Sequence, residues 1–128
     1  MTEKKKVLVV EDNAINAKLL TVFLEEGGFE VIHAEDGDKG AQKLVEQPDT
    51  AIILLDRFLP NMDGLDVLMR FKRNLSTARI PVIMLTAALN KEQTIHAKNV
   101  GAYACLPKPY NKEKIISTIK AALGITGQ

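Results

Sequence analysis

The chain contains few cysteine and aromatic side chains, and both shortages exclude classes of site. Cys105 is the single cysteine among 128 residues, which excludes an internal disulfide and a cysteine-rich zinc site. Tryptophan is absent and aromatic residues make up 5% of the chain. The basic residues are therefore not interleaved with the rings on which single-stranded nucleic acids stack. We expect no direct binding to nucleic acid.

Long apolar segments are also missing. No run of about 18 apolar residues occurs, and the N-terminus lacks the apolar region of a signal peptide. These absences predict no membrane insertion and a cytoplasmic location. With 46% hydrophobic and 26% charged residues, the 128 residues are expected to form a single domain, 1–128, with its core in about residues 5–123.

The net charge of +1 conceals an uneven distribution of charge. Residues 1–66 carry 14 acidic and 7 basic residues, whereas residues 67–128 carry 2 acidic and 10 basic residues. The two halves therefore differ in sign, at −7 and +8. An acidic pocket would account for part of the negative charge of the first half. The basic residues of the second half form either solvated helix faces, which we favour, or a docking face for an acidic partner. They include Lys91, Lys98 and Lys112.

Apolar runs alternate with segments of helical periodicity along the whole chain. The runs Val7–Val10, Ala51–Leu55 and Pro81–Leu85 lack polar alternation, as is typical of strands that are covered on both faces in a parallel sheet. Phe29–His33 is predicted as the second strand and Tyr103–Leu106 as the fifth. Pro107 ends the fifth strand and indicates an edge position. Alternating strands and helices predict a doubly wound α/β sandwich.

Five amphipathic helices are predicted between and after these strands. Asn13 and Asn111 are expected to cap the first and last helices, and Asp36-Gly37 and Gly64 to begin the second and third. The apolar residues expected to face the core are Ile15, Leu19, Leu20, Phe23 and Leu24 in the first helix, Ala41, Leu44 and Val45 in the second, Leu65, Leu68, Met69 and Phe71 in the third, Ile95 and Val100 in the fourth, and Ile115, Ile116, Ile119 and Leu123 in the last.

Acidic residues follow two of the predicted strands. Glu11 and Asp12 come directly after the first strand, and Asp56 follows the third. Ligands of parallel sheets bind beyond the carboxyl ends of the strands, so these acids are expected to meet there. Their mutual repulsion would be relieved by a hard divalent cation such as Mg²⁺, which prefers oxygen ligands. The sequence therefore predicts an acidic metal pocket.

Several short segments together resemble a known family. They are Val9-Val10-Glu11-Asp12-Asn13, Leu54-Leu55-Asp56, Leu59-Pro60-Asn61-Met62-Asp63-Gly64, Met84-Leu85-Thr86-Ala87 and Lys108-Pro109. In this order and spacing they are similar to the receiver domain of bacterial response regulators, across essentially the whole chain. The resemblance implies a flavodoxin-like (βα)5 fold with a five-stranded parallel sheet in the order 2-1-3-4-5.

The resemblance also implies roles for individual residues. Asp56 would accept a phosphoryl group from a phosphohistidine, while Thr86 and Lys108 would donate to the phosphoryl oxygens. A cis peptide bond is implied before Pro109, and Gly64 is expected to serve a turn that needs backbone freedom.

The metal implied by the family is Mg²⁺, which Mn²⁺ could replace. Asp12 and Asp56 would bind it directly, Glu11 would bind it directly or through water, and Arg57 would contribute its backbone carbonyl. Such a domain accelerates its own phosphorylation and dephosphorylation without being a turnover enzyme.

One position departs from the family pattern. Cys105 stands three residues before Lys108, where the family often has an aromatic ring that moves together with the threonine. We therefore expect output to depend on the fourth helix and the loop after it, since that helix has the fewest apolar anchors. Phe58 and Ala88 occupy positions that control water access in the family, and their apolar side chains predict slow self-hydrolysis.

The expected partners are proteins. No further domain follows Leu123, so the chain resembles stand-alone receivers, although a domain taken from a longer protein would look the same. A histidine kinase or histidine phosphotransfer protein would supply phosphate. The face formed by helix 4, strand 5 and helix 5, with Tyr103, Lys91, Lys98 and Lys112, is expected to bind a downstream target. A phosphorylation-linked homodimer is a further expectation.

Other classes fit less well. A haloacid dehalogenase-type phosphatase needs a second Asp two residues after the first, and Phe58 stands there. A flavodoxin needs a phosphate-binding loop after its first strand, where Glu11-Asp12-Asn13 would repel phosphate. A phosphorylation-independent scaffold with the receiver fold stays open as the alternative function.

Overall fold

A computed structural model describes residues 4–59, 62–87 and 90–125. Pro60, Asn61 and Ala88, which the sequence analysis named, lie outside these residues. Among the described residues, no helix is long and apolar enough to cross a membrane. The elements, in chain order, are β1 (Lys6–Val10), α1 (Ala14–Glu26), β2 (Glu30–Ala34), α2 (Gly37–Glu46), β3 (Thr50–Asp56), β4 (Phe58–Leu59), β5 (Met62–Asp63), α3 (Gly64–Arg73), β6 (Val82–Thr86), α4 (Lys91–Val100), β7 (Ala104–Pro107) and α5 (Lys112–Leu123).

The main sheet has five parallel strands in the order β2-β1-β3-β6-β7. This confirms the predicted flavodoxin-like order, because β6 and β7 are the fourth and fifth strands of that sheet. The short β4 and β5 pair antiparallel in a separate two-stranded ribbon directly after β3, which the sequence analysis did not predict.

Helices cover both faces of the sheet. On one face, α2, α3 and α4 contribute Leu44, Phe71 and Ala97 to a core cluster. On the other face, α1 and α5 contribute Leu24 and Ile119 to a second cluster. The central strand β3 is buried from Ile52 to Asp56 because both layers cover it. Its acidic end is therefore surrounded by structure rather than by bulk water.

The predicted helix caps are confirmed. The side chain of Asn13 accepts a hydrogen bond from the Asn16 N–H at 2.9 Å, and Asn111 accepts one from the Lys114 N–H at 2.9 Å. Asp36 caps α2 in the same way, through the Lys39 N–H at 2.8 Å. These side chains satisfy amide donors that have no partner within the helix.

Several residues predicted to face the core are instead exposed. Ile15 in α1 and Val45 in α2 are each 80% exposed, and Leu19 and Ile95 are exposed as well. Helix α1 buries Leu20 and Leu24, as predicted, and also Ala17, which was not predicted. A helix on a sheet buries one stripe, and these helices carry apolar residues on more than one side.

Two further predictions need correction. In α3, Leu68 and Phe71 are buried as predicted, together with Gly64 and Val67, whereas Leu65 and Met69 are only half-buried. Strand β7 begins at Ala104, not at the exposed Tyr103, and it extends through Pro107, which pairs with Thr86. An edge strand tolerates this proline because one side of it needs no amide donors.

Candidate functional site

Three carboxylates meet at the carboxyl edge of the sheet. Asp56 is the last residue of β3, and Glu11 and Asp12 follow β1. One ligand oxygen from each lies within 4.8 Å of those of the other two. Glu11 is 1% exposed and Asp56 2% exposed, whereas Asp12 is open to solvent. The parallel pairing of β1 with β3 places these strand ends side by side, as the sequence predicted.

Glu11 is held on both its backbone and its side chain. Its N–H donates to the Ala34 carbonyl at 3.0 Å, and the His33 ring donates from Nε2 to its carbonyl at 2.7 Å. Its carboxylate accepts from the Tyr110 hydroxyl at 2.7 Å and from the Asn13 N–H at 3.2 Å. Both contacts favour the charged form, but burial and the neighbouring Asp56 outweigh them and raise the pKa of Glu11.

The buried Asp56 carboxylate has a cationic neighbour. Lys108 Nζ donates to Asp56 Oδ1 at 3.0 Å, and the Phe58 N–H donates to the same oxygen at 3.2 Å. Lys108 reaches this place because its N–H donates to the Thr86 carbonyl at 2.9 Å, directly after β7. The Lys108-Pro109 peptide bond is cis, as predicted.

Thr86 ends β6 beside Asp56 and is buried. Asp56 pairs with Leu85, and Thr86 pairs with Pro107 on the other side. The three predicted functional positions Asp56, Thr86 and Lys108 therefore lie at the ends of three adjacent strands. A hydroxyl and an ammonium group at the ends of the two strands that follow the acid-bearing strand in the sheet are donors suited to a phosphoryl group.

The side chain of Arg57 pairs with Asp63, an acid outside the cluster. Its guanidinium donates to both Asp63 carboxylate oxygens, at 2.7 and 3.4 Å, and lies 3.5 Å from Gln93 Oε1 in α4. Its backbone carbonyl accepts from the Gly64 N–H at 2.7 Å. If this carbonyl oxygen binds a metal, as predicted above, it would have to accept the Gly64 hydrogen bond at the same time.

Gly64 is required for a reason other than the predicted one. A Cβ atom at this position would lie 2.5 Å from the Asp56 carbonyl oxygen and 2.8 Å from Arg57 Cα. Among the described residues, the glycines with positive φ are Gly28, Gly101 and Gly124. Gly64 therefore permits close approach of α3 to the turn that follows Asp56, and no left-handed conformation is involved.

Tyr110 was not predicted from the sequence as a residue of the site. Its hydroxyl reaches Glu11 across 99 positions of sequence, and its ring face lies 5.8 Å from Lys108 Nζ. The signal that could have found it was its place directly after Lys108-Pro109, at the same edge of the sheet. Asp63 was also missed as a partner of Arg57. Burial alone would raise the pKa of Asp63, but Arg57 and the Leu65 N–H together lower it.

The acidic cluster fits a hard divalent cation. Its donors are carboxylate oxygens alone, two of them on buried residues, and a cation between them would offset the mutual repulsion of their charges. Mg²⁺ and Mn²⁺ prefer such oxygen donors and retain water at the remaining positions, for which the exposed Asp12 side leaves access.

Cys105 is half-buried in the cluster formed with α2, α3 and α4, and burial raises the pKa of its thiol. The position expected to hold an aromatic ring therefore holds a small packed side chain. Tyr103, two residues earlier, is exposed and precedes the strand.

The chain is similar to known proteins over most of its length. The chain matches the family model described as response regulator receiver domain over residues 7–120. It is 36% identical over 124 residues to the phosphate regulon transcriptional regulatory protein PhoB of Pseudomonas aeruginosa, covering 96% of this chain and 53% of that protein. It is 37% identical over 119 residues to the DNA-binding dual master transcriptional regulator RpaA of Synechocystis, covering 92% of this chain and 48% of that protein. The chain thus spans about half the length of these curated relatives.

Solved structures show the same similarity. The chemotaxis protein CheY4 of Vibrio cholerae superposes with a TM-score of 0.88 at 28% identity, covering 94% of this chain and 100% of that one. A putative response regulator from Chloroflexus aurantiacus has a TM-score of 0.89 at 26% identity, covering 95% and 99%. The strand order, the acidic edge and these matches lead to one conclusion: the chain belongs to the response regulator receiver domain family of two-component signalling.

Proposed function

We propose that this chain is a phosphorylation-dependent switch in which Asp56 accepts a phosphoryl group from a histidine kinase or a histidine phosphotransfer protein. The observation that carries this proposal is the setting of Asp56. Its carboxylate is buried, lies within 4.8 Å of two further acids, and accepts a hydrogen bond from Lys108 Nζ at 3.0 Å. A carboxylate with this charge environment is suited to act as a nucleophile. Residues 1–128 are proposed to act as one receiver unit.

The transfer forms an O–P bond and breaks an N–P bond. An Asp56 oxygen attacks the phosphorus of a phosphohistidine, and the electron pair of the N–P bond stays on the imidazole nitrogen. Lys108 and the Thr86 hydroxyl then donate to the phosphoryl oxygens, over which negative charge spreads. Mg²⁺, held by Glu11, Asp12 and Asp56, would supply the positive charge that neutralises these oxygens. The Arg57 carbonyl stays a predicted ligand.

Phosphorylation would bias two states of the domain. Moving an equilibrium from 1:99 to 99:1 requires a differential interaction of about 5.5 kcal/mol. New charge-assisted hydrogen bonds from Lys108 and Thr86 to a dianion are of the kind that can supply much of it. Arg57, next to Asp56, also contacts Gln93 in α4, and α4 has a single fully buried residue, Ala97. Output through α4 is therefore part of the proposal.

The first test is the intact mass of the protein after incubation with acetyl phosphate and Mg²⁺. We expect one phosphoryl adduct that requires Mg²⁺, is cleaved by hydroxylamine and is missing from Asp56→Asn. Asp66→Asn, which removes an exposed carboxylate of α3, is the matched control and should be labelled normally. If neither acetyl phosphate nor a panel of phosphorylated kinases yields an adduct, the proposal fails and the scaffold alternative is favoured.

The phosphodonor protein is proposed to dock on α1. This helix begins two residues after Asp12, and its exposed side carries Ile15, Leu19 and Val22, spaced four and three residues apart. That spacing places them on one outward stripe beside the acidic pocket. We expect Ile15→Glu to slow transfer from the kinase while labelling by acetyl phosphate is unchanged. Val45→Glu, at an equally exposed position of α2, should affect neither reaction.

A downstream target is proposed to bind the face formed by α4, β7 and α5. Exposed Ile95 and Tyr103 give this face apolar area, and Lys98 adds positive charge. Lys112 is held by Glu26 of α1 at 2.7 Å, which makes it a weaker candidate. We expect amide exchange across residues 90–102 to change on phosphorylation. Unchanged exchange there would contradict output through this face, on which a phosphorylation-linked homodimer is also predicted.

A further inference from the structure

The side chain of Tyr110 joins three parts of the domain. Its ring packs against the core cluster that α1 and α5 cover, and the face of the ring lies 5.8 Å from Lys108 Nζ. Its hydroxyl donates to Glu11 Oε1 at 2.7 Å. The next residue, Asn111, caps α5. Tyr110 therefore links the acidic edge after β1 to the start of the last helix.

The hydroxyl has a function that the ring does not share. A phenylalanine ring would fill the same apolar space, so core packing does not require the oxygen. The Glu11 carboxylate is 1% exposed and has the Tyr110 hydroxyl and the Asn13 N–H as hydrogen-bond donors. A buried carboxylate that loses one of its donors is left partly unsatisfied and free to change its rotamer.

We propose that Tyr110 is a positioning residue of the divalent-cation site, whose hydroxyl fixes the orientation of Glu11 and so sets the affinity for Mg²⁺. This inference rests on the proposed function, because it assumes that the acidic cluster binds the cation. Groups that orient metal ligands by hydrogen bonding commonly change metal affinity 10- to 100-fold when they are removed.

The test compares the dissociation constant for Mg²⁺, measured by calorimetry on unphosphorylated protein, in matched variants. We expect Tyr110→Phe to weaken binding about 10-fold. The chain has two tyrosines, so Tyr103→Phe, which removes the exposed one, is the control and should change binding less than about 2-fold. In a Glu11→Gln background, adding Tyr110→Phe should cause no further loss, because the hydroxyl acts through Glu11.

Each other outcome has a distinct meaning. If the wild-type protein binds Mg²⁺ and Tyr110→Phe binds it with the same affinity, this inference alone is overturned. It is also overturned if Tyr110→Phe lowers the Mg²⁺ affinity by the same factor in the Glu11→Gln background as in the wild type. A wild-type protein that binds no Mg²⁺ overturns the proposed metal site and this inference with it.

A second measurement covers the case in which Tyr110→Phe fails to fold. Tyr103→Phe leaves Tyr110 as the only tyrosine, and the chain has no tryptophan. A hydrogen bond to a carboxylate quenches the emission of a phenol, and a cation bound to the same carboxylate weakens its attraction for the phenol proton. Saturation with Mg²⁺ is therefore expected to raise the fluorescence of this variant. Unchanged fluorescence in a protein that binds Mg²⁺ overturns the inference.

Discussion

Replacement of Gly64 by alanine tests the close packing behind the acceptor turn. The new Cβ would lie 2.5 Å from the Asp56 carbonyl oxygen, 2.8 Å from Arg57 Cα and 2.9 Å from the Arg57 carbonyl oxygen. All three are backbone atoms, so no side chain can rotate away. The turn that follows Asp56 would have to move, and the 2.7 Å hydrogen bond from the Gly64 N–H to Arg57 would be strained.

The size of the effect follows from opposing contributions. Overpacking of this kind costs about 1–3 kcal/mol, and the upper end applies because the contacts are rigid. Replacing glycine by alanine in a helix also stabilises the fold by up to about 1 kcal/mol, because alanine has the higher helix propensity. We therefore expect Gly64→Ala to lower the free energy of unfolding by about 2 kcal/mol, measured by urea titration, and to slow labelling by acetyl phosphate.

A matched control separates this contact from a general effect of glycine replacement. At Gly40, within α2, a new Cβ would meet the Val10 side chain at 3.2 Å, and that side chain can shift. Gly40→Ala should therefore stay within about 1 kcal/mol of wild type, since helix propensity offsets the contact. The reasoning is wrong if Gly64→Ala is as stable as wild type, or if both variants lose the same stability.

Three further predictions concern the acids and the mouth of the site. Asp12→Asn should weaken Mg²⁺ binding at least about 10-fold while leaving the midpoint of unfolding without metal unchanged, because Asp12 is exposed. In the wild-type protein, Mg²⁺ at ten times its dissociation constant should add about 1.4 kcal/mol to the free energy of unfolding, measured by thermal melting with and without Mg²⁺. The ion pair with Arg57 holds the pKa of Asp63 below its usual range, so Asp63 contributes stability that is present above its unfolded pKa and is lost as pH falls through the folded value. Asp63→Asn removes the charge but keeps the helix cap, so it should lower the free energy of unfolding by under about 1 kcal/mol at neutral pH and leave it unchanged at a pH where Asp63 is protonated in the folded protein. An equal loss of stability at both pH values would contradict this. Phe58→Asn should shorten the half-life of the phosphorylated form, since the exposed apolar ring gives way to a side chain that can bind water; an equal or longer half-life would refute it.

Local sequence signals predicted the framework well. Uninterrupted β-branched and leucine runs identified the strands, because strands covered on both faces have no polar alternation. Asn13 and Asn111 were identified as caps because their short side chains satisfy amide donors close in sequence. That the acids at the ends of β1 and β3 lie close together was predictable from topology, since parallel strands bring their carboxyl ends to one edge of the sheet.

What the sequence did not reveal depends on contacts between distant segments. Ile15 and Val45 are apolar at helical spacing, yet the side of each helix that the sheet covers is decided by tertiary packing, and both residues are exposed. The bond between Tyr110 and Glu11 spans 99 positions, so no local pattern records it. Gly64 was correctly assigned to the acceptor turn, but its physical reason became visible only from the distances to Asp56.

Chemical mapping of the phosphorylated residue tests the phosphoacceptor assignment most directly. Borohydride reduces an acyl phosphate of aspartate to homoserine, which peptide mass spectrometry can place at a single position. After treatment with acetyl phosphate and Mg²⁺, we predict homoserine at position 56, formed only when Mg²⁺ is present. Homoserine at position 12, or labelled protein with unmodified Asp56, would contradict the assignment of Asp56 as the phosphoryl acceptor.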